Sequence, residues 1–199
     1  MAADRLTRLV RALIPENGEV AGLLALMLLI EARRTARVSA SGELVTLDEQ
    51  DRGAWDRELI AEGHALVRAR IASGEAPGRY QILAAINAVH TSARDIRDTD
   101  WSQIVALSDQ LVRIDRSPII VLNRAIAVAE IDGPEVALAA IDRVEDRLAG
   151  YHAFHAARAD LLRRLGRSEQ SRAAYDKAIE LAGNAAETAY LTRRRDQLG

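Results

Sequence analysis

Cysteine is absent from the 199 residues, which excludes disulfides, thiolate metal sites and cysteine nucleophiles and suits a reducing cytoplasm. Aromatic residues make up only 4% of the chain, with a single Phe. Leu, Ala and Ile supply most of the apolar mass, which favours helices over sheets. Lys177 is the only lysine, and every other cationic side chain is Arg, a residue suited to forked ion pairs. Proline is scarce, and Pro15, Pro77, Pro118 and Pro134 each mark an element boundary. Long apolar runs are missing. The most apolar stretch, AGLLALMLLI from Ala21 to Ile30, has ten residues, and a membrane span needs about 20. Glu19 precedes it, and Glu31, Arg33 and Arg34 follow it, so it reads as a buried core helix. The N-terminal MAADRLTRLVRALIP lacks the uninterrupted apolar region of a signal peptide. Charge of one sign is lacking too: the net charge of −2 points neither to nucleic acid nor to an anionic membrane. The expected location is cytoplasmic, with no membrane contact.

What the chain does contain is helical periodicity almost throughout. Leu6, Leu9, Val10 and Leu13 make one stripe, and Asn17 is placed to cap a helix running to about Arg34. Residues 36–51 break the pattern. Val38, Leu44 and Val45 around Ser41-Gly42 fit either a small hairpin or an ordered loop near 37–50. A long helix is expected from about Arg52 to Ser73, with further helices over Arg79–His90 and Trp101–Ile114, the latter capped by Thr99 or Asp100. Ser117-Pro118 is a cap followed by proline at the first helical position. It opens a helix paired, through Asp132-Gly133-Pro134, with one spanning Glu135–Leu148. Three more helices follow over about 150–165, 168–182 and 185–198. The fold class expected is all-α, a single domain over 1–199. It comprises N-terminal helices and a loop (1–50), degenerate helical repeats (51–116) and TPR-like repeats with a capping helix (117–199).

The repeat is visible when Tyr151–Ala185 is laid over Ser117–Tyr151 at an offset of 34. Arg124 then meets Arg158, Ala125 meets Ala159, Val128 meets Leu162 and Ile141 meets Tyr175. That period, with small residues where helices cross, is the tetratricopeptide (TPR) arrangement. Ala159, Leu162, Gly166, Tyr175 and Ala178 match its consensus, and Gly183 replaces the usual closing proline. A right-handed superhelix of about ten helices is the expectation, each hairpin burying its apolar face on its neighbours.

Several constellations compete for function. His152 and His155 share a helix face and could begin a metal or proton-transfer site, but no third ligand accompanies them, and Asp160 lies on another side. The repeat register instead places His155 between helices. In LDEQDRGAWDREL, the residues Asp51, Arg52, Trp55 and Asp56 could offer a carboxylate pair for acid catalysis. The competing reading is helix capping by the acids, an Arg52–Asp56 pair four residues apart, and Trp55 anchoring the loop. Asn123 and Arg124 resemble residues with which some TPR domains clamp a peptide carboxylate. On TPR geometry one groove face would present Asp160, Arg163 and Arg164, and the preceding repeat Leu122, Ile126 and Glu130. The triplet Arg193, Arg194 and Arg195 reads as a solvated face. No phosphate loop, nucleophile elbow, zinc motif or helix-turn-helix is evident, so no enzyme activity, cofactor or metal is expected.

Six blocks then carry a resemblance: EVAGLLALMLLIEARRTAR, LVTLDEQDRGAWD, GRYQILAAINAVH, TDWSQIVAL, SPIIVLNRAIAVAE and GYHAFHAARADLLRRLGR. Their order and spacing resemble the C-terminal extension of a group of extracytoplasmic-function (ECF) sigma factors that carries a TPR-like domain. The likeness covers residues 4–199. Ile30 stands where His is common in that group, and Ser108 where Tyr is common. The resemblance implies a bacterial, non-enzymatic regulatory role in transcription initiation, modulating sigma activity or polymerase engagement. The implied partners are the sigma regions of the same factor, RNA polymerase, or a peptide or regulatory protein in the groove. The interaction residues would come from Asp51, Arg52, Trp55, Asp56, Asn123, Arg124, Asp160, Arg163 and Arg164. The sequence holds no sigma regions. A truncated piece, a proteolytic product or a stand-alone remnant is therefore expected, with no direct DNA binding. The alternative reading is a stand-alone TPR-type peptide adaptor unrelated to transcription.

Overall fold

The computed structural model describes residues 2–39 and 42–198. Among these, every regular element is helical: eleven α-helices and three short 3-10 turns. The chain divides into two compact units, Met1–Val38 with Val45–Asp115, and Ser39–Leu44 with Arg116–Gly199.

The first unit holds α1 (Ala2–Leu13), α2 (Gly18–Glu31), α3 (Arg57–Ala72), α4 (Arg79–Ser92) and α5 (Trp101–Ile114). Asn17 caps α2 as its position suggests, its Oδ1 accepting from the Val20 amide at 3.1 Å. Asp100, the second of the two candidates, caps α5 by accepting from the Gln103 amide at 2.9 Å. Helix α4 follows Gly78, which has no side chain to cap it. Glu19 of α2 does so from a distance, accepting from the Tyr80 amide at 3.1 Å and the Gln81 amide at 3.3 Å. Leu24, Ala25 and Leu28 of α2 pack with Leu66 of α3 and Ala84 of α4.

One expectation is corrected here. The helix foreseen from Arg52 begins instead at Arg57, because Asp56 Oδ1 accepts from both the Glu58 and Leu59 amides at 3.0 Å and starts it there. Arg52–Ala54 forms a separate 3-10 turn. Along the α1 stripe Leu9 is 58% and Leu13 81% exposed and Val10 is partly buried, while Thr7 packs, donating to Met27 Sδ at 3.4 Å. Around 37–50 no strand forms among the described residues. The segment is an ordered loop in which the Val45 amide donates to Arg37 O at 2.9 Å. Ser41 of the expected turn lies outside the described residues.

The second unit holds α6 (Pro118–Ile131), α7 (Pro134–Asp142), α8 (Glu145–Leu148), α9 (His152–Arg164), α10 (Ser168–Leu181) and α11 (Ala185–Asp196). Ser117 caps α6, with Pro118 in its first turn. The helix foreseen over Glu135–Leu148 is broken at Arg143–Val144. Val144 leaves helical geometry (φ −116°, ψ 9°), and the break turns Asp142 and Glu145 toward one guanidinium, that of Arg158, at 3.3 and 3.1 Å. Helix α9 ends in a Schellman turn: Gly166 has φ +72°, Arg167 N–H donates to Leu162 O at 2.9 Å, and Gly166 N–H donates to Arg163 O at 3.0 Å. Small residues face one another where paired helices cross. Ser171 Oγ of α10 donates to Ala159 O of α9 at 2.8 Å, and Ala125 and Ala137, 34 residues earlier in each helix, are buried as well. Phe154 and Tyr175 fill the core around them, at 0% and 2% exposure.

Candidate functional site

The 51–56 segment resolves into capping and docking. Asp51 Oδ1 accepts from the Gly53 amide at 2.8 Å and holds the 3-10 turn, while Asp56 caps α3. Arg52 does not pair with Asp56, whose carboxylate faces the α3 amides. Its Nη1 donates to His90 O and Ala93 O, both at 2.8 Å, and so satisfies carbonyls at the C-terminal end of α4. Its guanidinium lies 4.7 Å from the Trp55 ring centroid, and Trp55 is 5% exposed. The Asp56 amide is tied to Ala32 O at 2.9 Å. No catalytic carboxylate pair is assembled.

Around this seat stand residues that sequence reasoning passed over. Arg33, just beyond the end of α2, donates through Nη2 to Asn87 Oδ1 of α4 at 3.1 Å. Burial, then the nearby Arg37 and Arg52 charges, bring its pKa down to about 10. The same forces act on His90: burial, then Arg33 and Arg52, hold it down to about 4, so the ring is neutral near pH 7. It meets the Trp101 ring edge-on at 5.4 Å. Arg33 Nε, Arg52 Nη2, Trp55 Nε1 and His90 Nδ1 are buried and have no hydrogen-bond partner among the described residues. A usable signal was the i,i+3 pair Asn87 and His90 on one face of α4. Burial, more than Arg68, lowers the pKa of His64, and its Nε2 meets Thr91 Oγ1 at 2.8 Å.

In the second unit the candidate groove residues are brought together, but as pairs. Asp160 Oδ1 accepts from Arg163 Nη2 at 2.7 Å and from Arg194 Nη2 of α11 at 3.0 Å. Arg164 Nη1 donates to Glu130 Oε1 of α6 at 2.6 Å, and its Nη2 to Ala129 O at 3.0 Å. Both rungs, Glu130–Arg164 and Asp160–Arg194, join residues 34 apart. The repeat offset read from the sequence therefore reappears as a side-by-side contact. Leu122 does not belong to this face. It is 2% exposed and in the core, one position round the helix from Asn123, which is exposed. Ile119, Asn123, Ile126 and Glu130 form the exposed stripe of α6, with Ile119 42% and Ile126 43% exposed. Arg124 is half-buried beside it.

The two histidines of α9 diverge. His155 is 8% exposed, its Nε2 within 2.8 Å of Ala149 O, whereas His152 Nε2 lies 3.7 Å from Glu187 of α11. Among the described residues no group of three or more His, Asp or Glu converges as metal ligands do, and no helix is long and apolar enough to cross a membrane.

Residues 1–72, from α1 through α3, match a family described as a family of unknown function (DUF6596). Over 196 residues the chain is 44% identical to "Uncharacterized protein R00370" of Rhizobium meliloti (strain 1021), a match covering 98% of this chain and 46% of that protein. The chain spans about half the length of the curated relative it matches. No solved structure matches.

Proposed function

We propose that this chain is a protein-binding regulatory region of an ECF sigma factor, built in its second unit from TPR-like repeats. Its partners are the sigma regions of that factor or core RNA polymerase. The observation that carries the reading is the face formed by α6, α9 and α11. Rungs at the 34-residue offset, Glu130–Arg164 and Asp160–Arg194, lie beside an exposed Ile119–Asn123–Ile126 stripe. An apolar strip flanked by exchangeable ion pairs suits a partner helix or extended segment, which buries the isoleucines and borrows the guanidiniums. The Gly166 turn and the Ala159–Ser171 crossing support the TPR-like assignment. The length of the R. meliloti relative, more than twice the matched segment, accommodates sigma regions in the same polypeptide. A regulatory module of this kind must bind the active and inactive states of its partner unequally.

The test uses the part of that relative outside the match. Expressed separately, it is expected to direct core RNA polymerase to a promoter and to co-purify with this chain. Ile126→Asp is expected to weaken that association about tenfold or more, while Ile131→Asp, an exposed α6 position off the stripe, leaves it unchanged. This chain alone should give no sequence-specific shift of promoter DNA. A fragment that neither supports initiation nor binds would sink the transcription reading and leave a peptide adaptor.

A further inference from the structure

The first unit contains a cavity of about 380 Å³ between α2, α3, α4 and α5, within the ~300–1,000 Å³ range of small-molecule sites. Its walls include Gly22 and Ala25 of α2, Leu66 and Val67 of α3, and Ala84 and Ala85 of α4. The cavity follows from how α2 meets α4. At Gly22 a Cβ would lie 2.6 Å from the Gln81 backbone nitrogen, so the helices touch there through glycine. Further along, the alanines are too short to fill the space that opens.

Arg70, Glu75, Gln81 and Gln110 supply the polar part of the lining. Arg70 and Gln81 both line the cavity, and both would collide with a Cβ at Gly18, so the guanidinium and the amide meet over that glycine. Gln81 Oε1 already accepts from the Gly78 amide at 2.7 Å, leaving its NH2 group to donate. Arg70 Nη2 is held by Glu75 Oε2 at 2.5 Å. Glu75 itself is 66% exposed and follows Gly74, whose φ is +70°. It is a displaceable, surface-borne carboxylate on a cation that lines the cavity.

We propose that this cavity binds a short straight-chain fatty acid or a similar amphipathic monocarboxylate. The carboxylate would displace Glu75 from the Arg70 guanidinium and accept from the Gln81 amide, and the chain would run between the alanine and leucine walls. One cation, already shared with Glu75, suits a monoanion better than a phosphate. The apolar walls exclude a fully hydrated ligand. The site is independent of the transcription reading, and either can fail without the other.

The test is calorimetric titration with octanoate below its micellar concentration. Saturable binding with one site per chain is expected, and octanol and octylamine should bind about tenfold more weakly or worse. Arg70→Met and Ala85→Leu should each weaken octanoate about tenfold or more, with helical circular dichroism confirming that the variants fold. Glu75→Ala lies on an exposed connection where folding is insensitive, and it should tighten octanoate severalfold by freeing the guanidinium. The proposal is overturned by absence of saturable octanoate binding to both the parent and Glu75→Ala. Equal binding of octanol, or binding indifferent to both Ala85→Leu and Arg70→Met, would overturn it equally.

Discussion

The two units are built from similar helices but dispose of their interiors differently. In the second, large side chains complete what small ones begin: Ala159 and Ser171 let α9 and α10 touch, and Phe154 and Tyr175 close the space beside them. Its buried polar groups are largely answered within the chain, as with Ser171 Oγ on Ala159 O and His155 on Ala149 O. In the first, Gly22 brings α2 onto α4, but no aromatic follows, and a cavity remains. Donors on Arg33, Arg52 and Trp55 are buried there without a partner among the described residues. The two proposed binding sites thus lie inside the first unit and on the surface of the second. A filled interior leaves the second unit its exposed isoleucines and ion-pair rungs; an incompletely filled one gives the first unit a site with walls.

The largest effect should come from emptying the filled interior. Tyr175→Ala removes a 2% exposed aromatic and is expected to destabilise by about 3–5 kcal/mol in denaturant unfolding. A loss under ~1 kcal/mol would mean that the second unit is as loosely packed as the first.

Acid should act on the first unit. Burial holds folded His90 near pKa 4 against an ordinary 6.5. Between those values the unfolded chain binds the extra proton, so stability falls as pH drops through that window and is fully present above it. At pH 4 the loss from this residue is roughly 3 kcal/mol. His90→Leu should flatten the stability profile between pH 6.5 and 4. An unchanged slope in that variant would remove His90 as the cause.

Much of this contrast could be read in the sequence where a local rule decides. Asn17, Asp100, Ser117 and Gly166 act at their helix ends as their residue types require. The offset of 34 aligned Arg124 with Arg158, whereas the pairs that form at that spacing are Glu130–Arg164 and Asp160–Arg194, the latter using an arginine read as solvated. Errors arose where tertiary contacts overrode local preference. Arg52 is in reach of Asp56 on paper, yet it is taken by the carbonyls at the end of α4, which periodicity along its own segment cannot reveal. Leu122 was placed on the groove by a rotation of about 100°, one residue on a 3.6-residue helix. The Arg33–Asn87–His90 group and the cavity at Arg70 draw on helices distant in sequence, so no window of the chain contains either site.

A matched pair of substitutions separates the interiors directly. Ala159→Leu in the second unit meets a fully packed crossing, where Ala159 is 0% exposed, and should destabilise by about 1–3 kcal/mol through overpacking. Ala85→Leu in the first unit places the same atoms beside an empty volume and should change stability by less than ~1 kcal/mol, in either direction. Equal losses in urea unfolding would abolish the distinction between the two.

The smallest effect should be found on the rungs. A double-mutant cycle on Glu130 and Arg164, whose side chains are 34% and 28% exposed, should give a coupling of ~0.2–1 kcal/mol. The coupling should shrink in 1 M salt, where the screening length falls to about 3 Å. Weakness here matters to function. A rung worth this little can be opened by a partner's carboxylate, because the guanidinium exchanges one acid for another. A coupling above ~2 kcal/mol, insensitive to salt, would make the rungs staples of the fold. Binding would then rest on Ile119 and Ile126 alone.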